Sequence, residues 1–130
     1  INKFILYRKQ IYQLYSKKLK KFKEYITIPQ YNKKGSPSYH LFIIIINFNK
    51  LKKNKKDFFI FMNKNSIYPQ FHYKPINRFS FYKPKNIKYE GASKYYRDAV
   101  SLPIYYGLKK SEINNIIILI RQFIWDNRDK

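Results

Sequence analysis

The sequence predicts a small α+β layer domain. Three observations carry that reading: long helical patterns at both ends, an apolar β-branched run at Tyr39–Phe48, and a capped helical segment between them. At 130 residues the chain makes one domain. A domain of this size removes roughly two-thirds of its unfolded-chain surface from water, enough for a core.

The first helix covers residues 2–23. Phe4, Tyr7, Ile11, Leu14, Leu19 and Phe22 recur near three- and four-residue spacing, with no Gly or Pro between them. No cap precedes Ile1, so the pattern reads as a helix entered part-way, in a piece of a longer chain. Tyr25–Gln30 is extended in character, and Tyr31–Ser38 is a polar connection punctuated by Gly35 and Pro37. Tyr39–Phe48 is the clearest strand, and its continuous apolar character predicts cover on both faces. Asn54 is placed to cap a helix to about Lys64, with Asp57 at the third helical position and Phe58, Phe61 and Met62 on one face. Asn65 is the expected left-handed C-terminal cap. Ile67–Tyr73 reads as a second strand, and Lys74–Pro84, with its two prolines, as loop. Ala92–Val100 reads as a short helix, ended by Ser101-Leu102-Pro103 because the residue before proline avoids helical backbone. Gly107 turns the chain. Ser111 is the expected cap of a last helix through Trp125, whose buried stripe is Ile113, Ile116, Ile117, Ile120, Phe123 and Ile124.

Composition excludes several classes. Without cysteine there is no disulfide scaffold and no thiolate zinc site. With only His40 and His72, a histidine-rich metal site is not expected. The longest apolar run, Leu41–Ile46, is far shorter than the ~20 residues of a membrane span. The formal charge of +21 points first to a nucleic-acid partner. It has a mutational explanation too. Lys 23, Ile 20, Tyr 14, Asn 12 and Phe 11 are the residues that A/T-rich codons favour. The positive charge is spread along the chain, and no RNA or DNA recognition motif accompanies it. A peripheral membrane protein would need a cationic amphipathic helix, which only residues 2–23 offer.

Enzymatic constellations are sparse. Glu24, Asp57, Glu90, Asp98, Glu112, Asp126 and Asp129 fall mostly on helix surfaces or ends, so no carboxylate pair stands out. With three glycines there is no phosphate-binding glycine loop, and no serine sits in a G-x-S-x-G turn. The densest polar cluster is Gln70–Arg78, at a strand end where sites gather. His72 offers a proton shuttle or donor, Tyr73 a hydroxyl and stacking face, and Arg78 a fork for phosphate. His72 and Tyr73 also fit as packed strand residues. Tyr39 and His40, at the head of the first strand, carry the same two readings.

Three segments resemble one family. Ser38-Tyr39-His40-Leu41-Phe42 is similar to a strand of the DegT/DnrJ/EryC1/StrS sugar aminotransferases. Asn65-Ser66-Ile67, followed by Gln70-Phe71-His72-Tyr73-Lys74-Pro75-Ile76, resembles their segment ending in H-Y-x-P-i. Val100-Ser101-Leu102-Pro103-Ile104-Tyr105, with Leu108 and Glu112-Ile113, resembles the S-L-P segment before their last helix. The three come in the family's order and spacing over residues 1–125, with Tyr7-Arg8 similar to a further family stretch. Gln70 before His72, and Phe81-Tyr82 after Pro75-Ile76, resemble the branch that makes UDP-4-amino-4,6-dideoxy-N-acetyl-β-L-altrosamine for pseudaminic acid. Asn77, Phe79-Ser80, Asn65 at the family's glycine position and Lys109 at its threonine cap depart from the pattern.

The resemblance implies the C-terminal small domain of a fold-type I transferase: a small antiparallel or mixed sheet flanked by helices, with a long N-terminal helix. It implies a cytoplasmic, homodimeric parent that uses pyridoxal 5'-phosphate to move an amino group, usually from glutamate, onto a nucleotide-linked 4-keto sugar. The Schiff-base lysine and the aspartate of the pyridine nitrogen would lie on an upstream large domain, leaving no catalytic or cofactor-binding residue here. His72, Tyr73 and Arg78, with Tyr39 and His40, would line the sugar-nucleotide cleft. The resemblance favours this reading over a nucleic-acid module or a membrane-bound one.

Overall fold

A computed structural model describes residues 1–30, 35–82 and 89–128. The start of the connection at Tyr31, Pro84 of the predicted loop and Asp129 lie outside them. The described residues form an antiparallel sheet with the order β1-β2-β4-β3, flanked by helices. The strands are β1 Ile26–Thr27, β2 Phe42–Ile46, β3 Gln70–Phe71 and β4 Ala99–Leu102. The helices are α1 Asn2–Leu19, α2 Lys55–Lys64, α3 Glu90–Asp98 and α4 Lys110–Asn127.

The long first helix forms as its spacing predicts, and a 3-10 turn, Lys20–Phe22, extends it to the predicted end. It buries Ile11, Tyr15 and Leu19. Tyrosine hydroxyls fasten it to the segment between β4 and α4. Tyr7 donates to the Leu108 carbonyl at 3.0 Å, and Tyr15 to that of Pro103 at 3.1 Å. Burial lifts the Tyr15 hydroxyl well above the ordinary phenol range, so it stays a donor. Its ring stacks on Phe42 of β2 at 4.7 Å.

β2 is shorter than the apolar run. Tyr39 has φ 50°, which breaks the extended path, and Phe48 opens a 3-10 turn, Phe48–Leu51. Phe42, Ile44 and Ile46 are buried, while Ile43 and Ile45 are half-buried. The predicted two-sided cover is therefore complete on one face only.

α2 begins as expected. Asn54 Oδ1 accepts from the Asp57 backbone N–H at 3.1 Å, and Asp57 accepts from the Asn54 N–H at 2.9 Å. This capping box satisfies two donors that the helix start leaves orphaned. The left-handed residue after α2 is Ser66 (φ 60°), and Asn65 (φ −98°) is not left-handed. Asn65 instead turns its side-chain amide back to the Phe61 carbonyl.

The predicted Ile67–Tyr73 strand shrinks to Gln70–Phe71. It is an edge strand that only β4 pairs, and Pro69 and Pro75 deny it donors on either side. The loop beyond holds two 3-10 turns, Ile76–Arg78 and Ser80–Tyr82.

The main correction concerns Ala99–Leu102. The expected helix ends at Asp98, and Ser101-Leu102 are strand, not a helix terminator. β4 is central: Phe42 faces Leu102, and Ile44 faces Val100, on its β2 side. All four of its residues are buried. Gly107, at φ 97°, supplies the left-handed turn into α4. Lys109, not Ser111, occupies the cap position of α4, and its N–H donates to Glu112 at 2.7 Å. α4 buries the predicted stripe with one exchange: Leu119 is buried and Ile117 half-buried. Phe123 meets Phe58 edge-on at 5.1 Å, joining α4 to α2. No helix among the described residues is long and apolar enough to cross a membrane.

Candidate functional site

His72 follows β3 directly, and tertiary partners fix its ring. Nδ1 lies 3.3 Å from the Tyr95 hydroxyl of α3, and Nε2 lies 3.1 Å from Ser101 Oγ of β4. Tyr95 also packs edge-on to the imidazole at 5.2 Å. Both hydroxyls donate or accept, so either neutral tautomer is satisfied. Burial, with the nearby Lys55 ammonium adding to it, lowers the His72 pKa below 6.5. The ring is therefore neutral at pH 7. Its two sequence readings merge: it is a tied residue that also sits at a strand end beside open surface.

Phe71 precedes it and faces the other side of the edge strand, stacked on Phe59 of α2 at 3.7 Å. There a groove of about 950 Å³ opens between the starts of α2 and α3. Its cationic lining is Lys55, Lys56, Arg78, Lys94 and Arg97, against the single acid Glu90. The Arg78 guanidinium lies over the Tyr96 ring, 5.3 Å from its centroid. The ring contact leaves the guanidinium its charge, and its N–H fork suits an anion. Lys55 donates from Nζ to the Tyr96 carbonyl and lies 5.2 Å from the Tyr96 ring and 5.4 Å from that of Phe71. Burial lowers its pKa, and the charge of Asp98 opposes that shift. Asp98, 5 % exposed, takes a two-point contact from Arg97 at 2.7 and 2.8 Å.

The five predicted site residues do not form one cluster. His72 and Arg78 flank β3, joined through the consecutive α3 residues Tyr95 and Tyr96. Tyr73 is fully exposed and projects from the same loop. His40 Nδ1 lies 3.0 Å from Ser38 Oγ, and His40 lines a second groove, about 560 Å³, with Gln70 and Ser101. Ser101 thus stands between the two histidines. Tyr39 lies apart, packed on Tyr12 at 5.3 Å in a third groove beside α1.

Sequence reasoning missed Lys55, Tyr95, Tyr96 and Ser101. Lys55 looked like one of many surface lysines, and Ser101 looked like a helix stop. A signal for Ser101 existed: a polar residue inside the apolar stretch Ala99–Leu102 needs a partner when buried.

The spacing S-x-x-x-x-K occurs at Ser16 and Lys21, but Lys21 is exposed beside α1. It recurs at Ser80 and Lys85, and Lys85 lies outside the described residues. Lys55 is engaged with a carbonyl and Asp98 with a guanidinium. Among the described residues no group of three or more His, Asp or Glu could hold a metal ion.

The model of the DegT/DnrJ/EryC1/StrS aminotransferase family matches residues 1–121. An uncharacterized protein of Methanocaldococcus jannaschii is 25 % identical over 125 residues, covering 93 % of this chain and 32 % of the relative. Among solved structures, the aminotransferase TlmJ of Streptoalloteichus hindustanus superposes with a TM-score of 0.84 at 18 % identity, covering 97 % of this chain and 33 % of TlmJ. PseC of Helicobacter pylori, an aminotransferase involved in pseudoaminic acid biosynthesis, gives 0.82 at 23 % identity, covering 95 % and 33 %. The chain spans about a third of the length of each of these proteins.

Proposed function

The chain belongs to the DegT/DnrJ/EryC1/StrS aminotransferase family, and from that premise we propose that it is the C-terminal small domain of a sugar aminotransferase. The proposed reaction moves an amino group from an amino acid, glutamate by preference, to a nucleotide-linked 4-keto-6-deoxy sugar. Pseudaminic acid or a related surface glycan is the proposed destination. The upstream large domain, in a homodimer, carries the pyridoxal phosphate and its lysine. The cofactor supplies the electron sink. This domain binds and orients the sugar nucleotide.

The observation that supports this best is the Arg78 guanidinium, set over the Tyr96 ring in a groove with four other cations. A diphosphate carries two negative charges along a short axis and suits such a fork and its flanking lysines. His72, neutral and tied at both nitrogens, offers the substrate a polar edge without adding charge. Tyr73, Tyr39 and His40 are the remaining proposed rim residues.

The test uses the full-length protein that carries this chain, loaded with pyridoxal phosphate. It is offered glutamate and a UDP-linked 4-keto-6-deoxy sugar, and the product mass is read. The proposal expects the sugar to gain an amine and glutamate to become 2-oxoglutarate. Amination of small keto acids, with no nucleotide-linked keto sugar accepted, contradicts it.

A further inference from the structure

We propose that Lys55 is a positioning residue that sets both His72 and Arg78 through one cross-tie between α2, β3 and α3. The inference rests on the sugar-nucleotide reading for its purpose, but not for its geometry.

Lys55 opens α2 directly after Asn54, and the Asn54–Asp57 capping box holds that helix start. Its ammonium donates to the carbonyl of Tyr96, three residues before the central strand β4. The same ammonium lies over the rings of Phe71 and Tyr96. Phe71 is the chain neighbour of His72. Tyr96 is both the platform of Arg78 and the chain neighbour of Tyr95, which bonds His72 Nδ1. One cation therefore touches the supports of both candidate binding residues without touching either. The carbonyl bond and the two ring contacts share one ammonium, so a shift of one support is felt at the other. The shared ammonium can therefore transmit position between the two supports as well as add stability.

A second consequence is electrostatic. The groups facing His72 are the Tyr95 hydroxyl, the Ser101 hydroxyl and, at longer range, Lys55. The Arg97–Asp98 pair lies beyond Lys55. Of these, the Lys55 charge resists protonation of His72.

The experiment is nuclear magnetic resonance on the full-length protein that carries this chain, with the His72 signal assigned by its loss in His72→Gln. Lys55→Met should raise the His72 titration midpoint. It should also move the Arg78 Nε–H signal away from its ring-shifted position over Tyr96. Lys55→Arg keeps a charged donor and should preserve both signals. A folded Lys55→Met chain with His72 and Arg78 at their wild-type positions overturns the inference. If Lys55→Met does not fold, the wild-type ammonium decides it. A slowly exchanging Lys55 amine with a depressed midpoint supports the tie, and one titrating like the surface lysines refutes it. Failure of the sugar-nucleotide reading would show separately. In that case Lys55→Met moves both signals, yet UDP added to the wild-type full-length protein moves neither.

Discussion

His72→Ala is the perturbation whose cost the structure specifies most fully. It deletes the bond to Tyr95, the bond to Ser101 and an edge-on ring contact. Tyr95 is 37 % exposed, so its hydroxyl returns to water at little cost. Ser101 is 4 % exposed and loses its side-chain partner. An orphaned buried hydroxyl costs about 1–3 kcal/mol. The lost ring contact adds about 0.5 kcal/mol, the low end for aromatic pairs, because the site is half-open. The total is about 1.5–3.5 kcal/mol, with water entering the vacated space setting the lower bound. A chain of 130 residues unfolds with an entropy near 0.27 kcal/mol per degree. The melting temperature should therefore fall by about 5–13 °C. The assay is thermal unfolding followed by circular dichroism, on His72→Ala, Ser101→Ala and the double variant. Ser101→Ala in the His72→Ala background removes the orphan, so the double should be less destabilised than the sum, by about 1 kcal/mol. A His72→Ala melt within a degree of wild type, or strictly additive variants, would refute the tied-histidine account.

Four further outcomes are expected. The folded His72 midpoint lies below its unfolded 6.5, so the unfolded chain binds more protons between the two. Stability should then be full above 6.5 and fall as pH drops toward the folded midpoint, and His72→Gln should flatten that slope in urea titrations at pH 7.5 and 5. Asn54→Ala opens the capping box and should cost about 1 kcal/mol, near 4 °C in the same melts; no change would mean the box is idle. Ser66→Gly relieves a left-handed serine and should stabilise by about 0.5–1 kcal/mol, after the greater chain entropy of glycine is subtracted. Random single-stranded RNA should bind weakly and lose affinity steeply with added salt, as diffuse lysine charge predicts, whereas tight saturable binding at physiological salt would favour a nucleic-acid function.

Local signals were legible where local physics decides. Asn54 and Asp57 cap α2 within four residues of chain, and the apolar periods of α1 and α4 fix their buried faces. β4 was illegible because its state comes from partners far away: Phe42 and Ile44 on one side, Gln70 and Phe71 on the other. Four residues after a helix carry no period of their own. The left-handed position fell on Ser66, where asparagine one residue earlier looked better suited by propensity. The bond pattern closing α2, with Ile67 donating to the Met62 carbonyl, places the turn there. The site was legible as positions and not as geometry. His72 and Arg78 stood out by residue type, but Tyr95 and Ser101 reach His72 across 23 and 29 residues. Lys55 was invisible among 23 lysines, because only its neighbours distinguish it.

The central claim is that Arg78 on its tyrosine platform grips the nucleotide diphosphate. Steady-state kinetics of Arg78→Gln in the full-length protein test it most directly. Losing a charge-assisted fork on phosphate should raise KM for the nucleotide sugar by about 10–100-fold. KM for glutamate and the melting temperature should stay near wild type. An unchanged KM for the nucleotide sugar, or an equal loss against both substrates, would contradict the account.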